Sequence, residues 1–378
     1  MEPRENSPPI TVLMTVFNGG QYLKKSIQSI LDQTYKDFEL LTIDDASTDN
    51  SLETIKSFHD DRIRLSSNKE NIGQSKSLNI GLKLAKGKYV ARIDADDIAF
   101  PQWLEEQYAF IESYPGYSVV STNALVIDEC NRIRRIYRSP ISQEDIVLRS
   151  FTFSPINHVG CIFNKKIVLD NGGYVEEYKI AADYGLWSKL IRNNCKITSL
   201  KTILVAIRAH SRSLSRSENG AQELQDLADI MRKNINTFTN SELTQDESKM
   251  LCRAFFDEGR LNDLEFDQTI SLLKKIYGRL VPSLKIDRES ARKWSKKRCL
   301  AAYLKRIFYA IKNQDYTLAK ITSRKGIAEF GIFSPPGVLF AVYFLSKIFL
   351  SYIPTLYEKF MRIEAYFIAR SKLRMTGL

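Results

Sequence analysis

Two acidic runs carry the most specific chemistry in this sequence. Asp94-Ala95-Asp96-Asp97 follows directly on the apolar run Tyr89–Ile93. In an extended chain alternate side chains share a side, so Asp94 and Asp96 point the same way. Two carboxylates at one strand end need a cation or hydrogen-bond donors to offset their repulsion. A hard divalent ion such as Mg²⁺ or Mn²⁺ takes oxygen ligands of this kind and shares them with substrate phosphates. The competing reading is an acidic, solvated helix start leading into Pro101 and Trp103. The second run, Asp44-Asp45-Ala46-Ser47-Thr48-Asp49, lies between the apolar run Phe38–Ile43 and a helical pattern of Leu52, Ile55 and Phe58. A carboxylate there can accept hydrogen bonds from a nucleobase or ribose, whereas Ser47, Thr48 and Asp49 can equally cap the helix. The three His stand at no HExxH or HxxxH spacing and the five Cys at no CxxC spacing. A zinc enzyme, a structural zinc site and a disulfide framework are not indicated, and a reducing compartment fits.

The elements that must position these residues alternate. Ile10–Val16 reads as a buried strand, and Leu23, Ile27, Ile30 and Leu31 recur at helical spacing within Tyr22–Gln33. Ile63–Leu65 reads as a brief strand, Ser77–Lys86 as a helix with Gly87 at C′, and Tyr89–Ile93 as a further strand. Asp128–Arg149 is polar and irregular. Val159–Phe163 and Ile203–Ile207 are strand candidates, Gly172-Gly173-Tyr174 a turn, and Asp183–Arg192 a helix with Leu186, Trp187, Leu190 and Ile191 as its apolar stripe. Alternating β and α elements predict a doubly wound α/β fold, with a mainly parallel sheet flanked by helices. Ligands on such sheets bind at the carboxyl ends of strands, where both acidic runs fall. After about residue 220 strand signals vanish and amphipathic helices dominate, which predicts two domains, 1–220 and 221–378, the second helical and basic.

The two runs together, with Asn71-Ile72-Gly73-Gln74-Ser75-Lys76-Ser77-Leu78-Asn79 between them, are far more specific than either alone. The stretches TVFNGGQYLKKSIQSILDQTYKDFELLTIDDASTDNS, NIGQSKSLNIGLKLAKGKYVARIDADDIAFPQWLEEQ, GGYVEEYKIAADYGLWSKL and IRAHSRSLS resemble glycosyltransferase family 2. These are inverting enzymes of the GT-A, Rossmann-like fold that use nucleotide-sugar donors. The matches follow the family's order and span roughly residues 9–215. The resemblance implies that Thr15, Val16, Phe17 and Asn18 line a nucleotide pocket. It implies that Asp44 and Asp45 bind uracil and ribose, and that Asn71, Gly73 and Asn79 lie beside the nucleotide; the other role of these three is turn formation and helix capping. Asp94 and Asp96 match the DxD motif that holds Mn²⁺ or Mg²⁺ across the donor phosphates, with Asp97 orienting the motif. Asp183 matches the general base; its alternative role is a cap of the Tyr184–Arg192 helix. Inversion is a single displacement, so one base and one metal suffice and no covalent nucleophile is needed. The chain departs from the family in having Ala182 where an acidic residue usually precedes the base, which removes a charge that would raise the base's pKa. His158 and the Arg208-Ala209-His210 segment match family positions that can touch phosphates or acceptor; a lone His is more often structural.

The formal charge is +11, from 55 Lys+Arg against 44 Asp+Glu. Through residue 239 the chain holds 30 basic and 30 acidic residues, and the remainder holds 25 and 14. The excess therefore belongs to the C-terminal region and not to the proposed catalytic part. Ile332–Tyr357 is apolar and aromatic with a single charge at Lys347, and Arg362, Arg370, Lys372 and Arg374 follow. Only 17 residues separate Pro336 from Pro354, the short limit for a spanning helix. Rings flanked by cations suit an interfacial anchor on an anionic membrane surface; the alternative is a helical appendage packed on protein. No nucleic-acid motif is present. The first ten residues hold no apolar stretch and predict no secretory leader. The expectation is a metal-dependent, inverting transferase on the inner face of a cell membrane. It would move a sugar from a nucleotide-sugar donor, a UDP-sugar by family habit, to a saccharide or lipid-linked acceptor in surface polysaccharide synthesis. The alternative is a non-catalytic protein of the same fold that binds a partner or lipid.

Overall fold

The computed structural model describes residues 7–178, 180–210, 220–256, 261–284, 288–313 and 315–330. These form two compact units. One takes the chain up to Arg149 and from Ser154 through the last strand; the other takes Ser150–Phe153 and the helices after it.

The first unit is one nine-stranded sheet with helices against it. β1 (Ile10–Val16), β2 (Phe38–Asp44), β3 (Ile63–Ser67) and β4 (Tyr89–Arg92) run parallel, in the order β3-β2-β1-β4. β1 and β2 are almost wholly buried, which explains their continuous rather than alternating apolar runs. Helices α1 (Leu23–Leu31), α2 (Ser51–Lys56) and α3 (Gln74–Leu84) make the crossovers. The stripe Leu23, Ile27, Ile30 and Leu31 is buried as the spacing requires. From β1 the strand order runs one way to β2 and β3 and the other way to β4. The carboxyl ends of β1 and β4 thus flank a topological switch point, where a crevice opens.

Beyond β4 the sheet is mixed. β8 (Cys161–Asn164) pairs antiparallel with β4 and with β6 (Val119–Ile127). β9 (Ile197–Arg208) runs parallel to β6, and the two-residue β5 (Ile98–Ala99) pairs antiparallel with β9. The sheet is therefore mostly parallel, with antiparallel joints in its second half. Asp128–Arg149, irregular in sequence, holds the edge strand β7 (Ile133–Tyr137) and α5 (Gln143–Arg149). The arginines of β7 face outward from an edge strand, so no apolar alternation marks it. Helices α4 (Trp103–Ser113), α6 (Lys165–Asp170) and α7 (Ala182–Arg192) complete the unit.

Gly87 is not a left-handed cap. α3 ends on Ala85 in extended geometry (φ −57°, ψ 130°). Gly87 is required because a Cβ there would stand 2.5 Å from the Thr11 backbone nitrogen. This lets the chain enter β4 against β1, where the Gly87 amide donates to Thr11 Oγ1 at 2.9 Å.

The second unit is helical: α8 (Gly220–Thr239), α9 (Gln245–Phe256), α10 (Asp263–Leu284), α11 (Arg288–Lys312) and α12 (Tyr316–Phe330). Ile230, Met231, Leu251, Phe255, Phe266, Leu273 and Ile307 are buried within it. The Ser150–Phe153 segment joins this core. Phe151 packs on Phe238, Phe153 packs on Phe255, and Asn234 Nδ2 donates to the Ser150 carbonyl at 2.7 Å. No helix among the described residues is long and apolar enough to cross a membrane. The anchor segment Ile332–Tyr357 lies outside the described residues.

Candidate active site

The ends of β1 and β2 are laced together. After Val16 the chain turns through Asn18, a non-glycine residue at φ 52°. Asn18 Oδ1 accepts from Thr48 N at 2.8 Å and Asp49 N at 3.3 Å, while the Asn18 amide donates to Ser47 Oγ at 3.0 Å. Gly19 and Gly20 donate to Ser51 Oγ and Asp49 Oδ2. Asn18 and Asp49 thus satisfy the amides that precede α2, and Ser47 is spent on the β1 turn. Ala46 is held at φ 60°, an unusual conformation for a residue with a Cβ. Thr15 is half-buried at the end of β1, and Phe17 is 51% exposed, a large ring open beside this turn.

Asp44 and Asp45 are both buried, but they differ in use. Asp45 Oδ1 accepts from Asn68 Nδ2 at 2.7 Å and Ile72 N at 3.1 Å, and its Oδ2 accepts from Gly73 N at 2.9 Å. Asp45 is therefore built into the loop that carries Asn71 and Gly73. Asp44 accepts from Ser47 N at 3.3 Å. Gly73 sits at φ 88° immediately before α3, a conformation that excludes most side chains. Asn71 and Gly73 line an open cleft of about 570 Å³ together with Gln74, Lys76 and Glu176. Asn79 Nδ2 donates to Glu176 Oε1 of this cleft at 3.1 Å. Its amide bonds to the Tyr174 backbone at both ends, pinning the Gly173–Tyr174 turn.

The DADD run does not cap a helix. It passes into β5, and the N-cap of α4 is Gln102. Oxygens of Asp94, Asp96 and Asp97 approach within 4.8 Å of one another, a donor set that fits a hard divalent ion. Each carboxylate has a distinct tether. Asp94 pairs with Arg92, whose NH1 donates to Oδ2 at 2.6 Å and NH2 to Oδ1. Gln74 Nε2 adds a contact to Asp94 Oδ1 at 3.3 Å. Asp96 Oδ2 lies 2.7 Å from His210 Nε2. Asp97 Oδ1 accepts from the Arg208 amide at 2.7 Å. Burial and the neighbouring Asp94 raise the Asp96 pKa, with His210 opposing; burial and both other carboxylates raise that of Asp97 well above the usual range. The Arg208 guanidinium bonds the Asp96 and Asp128 carbonyls and Asn131 Oδ1, and it stacks on the Tyr22 ring at 4.4 Å. The end of β9 thereby clips the DADD turn to the β6–β7 hairpin.

Asp183 stands in the first turn of α7, and its Oδ2 accepts from Ser154 Oγ at 2.8 Å. Burial raises its pKa, while the Ser154 bond and the amides of its own turn hold it back. A carboxylate whose pKa is raised by burial is the better proton acceptor. His158 is enclosed: Nε2 lies 2.8 Å from Tyr174 Oη, and its ring packs edge-on to Tyr174 and Trp187. Burial and the nearby Arg92 charge push its pKa well down, so it stays neutral and supports the fold around Tyr174.

Sequence reasoning missed Arg92, Gln74, Tyr22 and Ser154. Arg92 had a signal, a charge inside an apolar strand, which must find a partner when buried. Ser154 had none, because its contact with Asp183 spans 29 residues and its segment has no period. Ser154→Ala should shift the acidic limb of the rate profile to higher pH, because loss of the donor destabilises the charged Asp183. A pH–rate series on both proteins checks this; a limb that stays in place or moves down contradicts it.

Glycosyl transferase family 2 matches residues 11–173 of the chain. A protein named uncharacterized glycosyltransferase, from Haemophilus influenzae, is 33% identical over 247 residues, covering 62% of this chain and 76% of that one. The amylovoran biosynthesis glycosyltransferase AmsE of Erwinia amylovora is 29% identical over 205 residues, covering 53% and 76%. Among solved structures, S. aureus TarS 1-349 in complex with UDP-GlcNAc has a TM-score of 0.54 at 19% identity, covering 85% of this chain and 92% of that one. That likeness shows the fold. With acidic runs at the carboxyl ends of β2 and β4 in a GT-A sheet and this degree of identity to a glycosyltransferase, the chain belongs to glycosyltransferase family 2.

Proposed function

We propose that the chain is a metal-dependent, inverting transferase that moves a sugar from a nucleotide-sugar donor to a saccharide or lipid-linked acceptor. The observation that carries this reading is the convergence of the Asp94, Asp96 and Asp97 oxygens within 4.8 Å of one another at the carboxyl end of β4. Asp94 and Asp96 would hold Mn²⁺ or Mg²⁺, with Asp97 orienting them through its bond to the Arg208 amide. When bound, the ion offsets the charge of the departing nucleoside diphosphate. The exposed Phe17 ring and Asp44 flank the place for the nucleobase, with Thr15 and Asn18 shaping the pocket. Asp45 keeps the Asn71–Gly73 loop in position beside it. Asp183 removes the proton of the acceptor hydroxyl as that oxygen attacks the anomeric carbon.

The UDP-GlcNAc complex of the TarS neighbour supports a uridine donor. The relative named for amylovoran biosynthesis supports a place in polysaccharide biosynthesis. We assign the catalytic role to residues 1–220 and an attachment role to the basic residues 221–378. The sequence of Ile332–Tyr357 and its flanking cations supports an anionic membrane surface as partner on the cytoplasmic side. Calorimetric titration of the full chain with a panel of nucleotide sugars in Mn²⁺ tests the donor class. A uridine sugar should bind in preference to guanosine sugars; binding of none of them would overturn the reading.

A further inference from the structure

Arg92 is 1% exposed and lies at the end of β4, between Leu13 of β1 and Cys161 of β8. Its guanidinium spans both oxygens of Asp94, and Gln74 contacts one of them as well. The Asp94 backbone is fixed too, because its carbonyl accepts from Ser26 Oγ at 3.0 Å. A guanidinium carries its charge at every working pH and matches a carboxylate with two parallel bonds. The Arg208 guanidinium also faces the DADD run, on the Asp96 carbonyl, and the His210 ring meets the Asp96 carboxylate. One carboxylate of the cluster, Asp94, thus already has a cation on it.

We propose that Arg92 occupies Asp94 in place of a metal in the donor-free enzyme, so that a divalent ion binds tightly only together with the donor's diphosphate. This rests on the reading of Asp94 and Asp96 as metal ligands. A lone divalent ion must compete with a buried guanidinium for Asp94. A diphosphate brings negative charge and further oxygen ligands, which turns the balance. Arg92 is a positioning residue in this scheme: it presets the carboxylate and sets the order in which the site fills.

The test is Mn²⁺ alone, titrated into the full chain at pH 8 and followed by the electron paramagnetic resonance of free Mn²⁺, with and without UDP. Wild type should bind Mn²⁺ weakly alone and about tenfold or more tightly with UDP. Arg92→Met should bind Mn²⁺ without UDP about tenfold more tightly than wild type, because a unit charge beside the ligand has gone. Arg92→Gln, which keeps a donor without the charge, should move the same way. Should Arg92→Met fold poorly, Arg92→Gln decides. A merely structural arginine predicts the opposite sign, so unchanged or weaker Mn²⁺ binding in both variants overturns the proposal. If Asp96→Ala abolishes Mn²⁺ binding while the Arg92 variants leave it unchanged, only this inference fails. If wild type binds no Mn²⁺ even with UDP, the metal reading fails with it.

Discussion

Asp183→Asn should keep nucleotide-sugar binding and lose transfer. The substitution preserves shape and leaves an oxygen to accept from Ser154, which bonds the native carboxylate at 2.8 Å. What it removes is the ability to take a proton. A positioned general base is worth roughly 10²–10⁴-fold in rate, and kcat should fall by that much. Donor affinity by calorimetry should stay within about threefold, since this side chain is assigned to the acceptor rather than the donor. The split separates a base from a helix cap. Were Asp183 only a helix cap, the variant would keep both thermal stability and turnover, because Asn caps nearly as well as Asp. Persisting transfer would remove Asp183 from the mechanism.

Asp96→Ala should cost as much through a different step. Asp96 places one carboxylate in the cluster whose oxygens lie within 4.8 Å of each other, and it also bears His210 at 2.7 Å. Its loss should abolish Mn²⁺ binding and, with it, tight donor binding. The transfer rate should fall by about 10³-fold or more, because leaving-group charge is no longer offset. Burial and repulsion from Asp94 raise the Asp96 pKa, so removing its charge relieves strain in the free protein. Thermal stability should therefore hold or rise while function collapses. Equal activity in Asp96→Ala and wild type would contradict the assigned role.

The parts legible in the sequence are those buried on both faces or repeated at helical spacing. β1, β2, β4 and α1 stand where their apolar runs indicate, and the two acidic runs fall at the carboxyl ends of β2 and β4. The illegible parts have physical reasons. β7 is an edge strand whose arginines face outward, so it reads as loop. The first half of β9 carries polar side chains that bond to segments remote in sequence, as Thr198 Oγ1 donates to the Ile141 carbonyl at 2.9 Å. Gly87 reads as a helix stop, yet its role is close approach to β1, which only the three-dimensional neighbour reveals. The same limit applies within the site. Residue types point to Asp94 and Asp96 and the family resemblance to Asp183, but what holds each carboxylate, Arg92, His210 and Ser154 in turn, comes from contacts remote in sequence or hidden within a strand.

Sugar transfer should depend on a divalent ion held by the DADD carboxylates. The most direct measurement is release of nucleoside diphosphate by the wild-type chain from its preferred nucleotide sugar, followed through addition of excess EDTA and then Mn²⁺. Release should stop on chelation and return with the metal. Release that continues unchanged in EDTA would contradict the account.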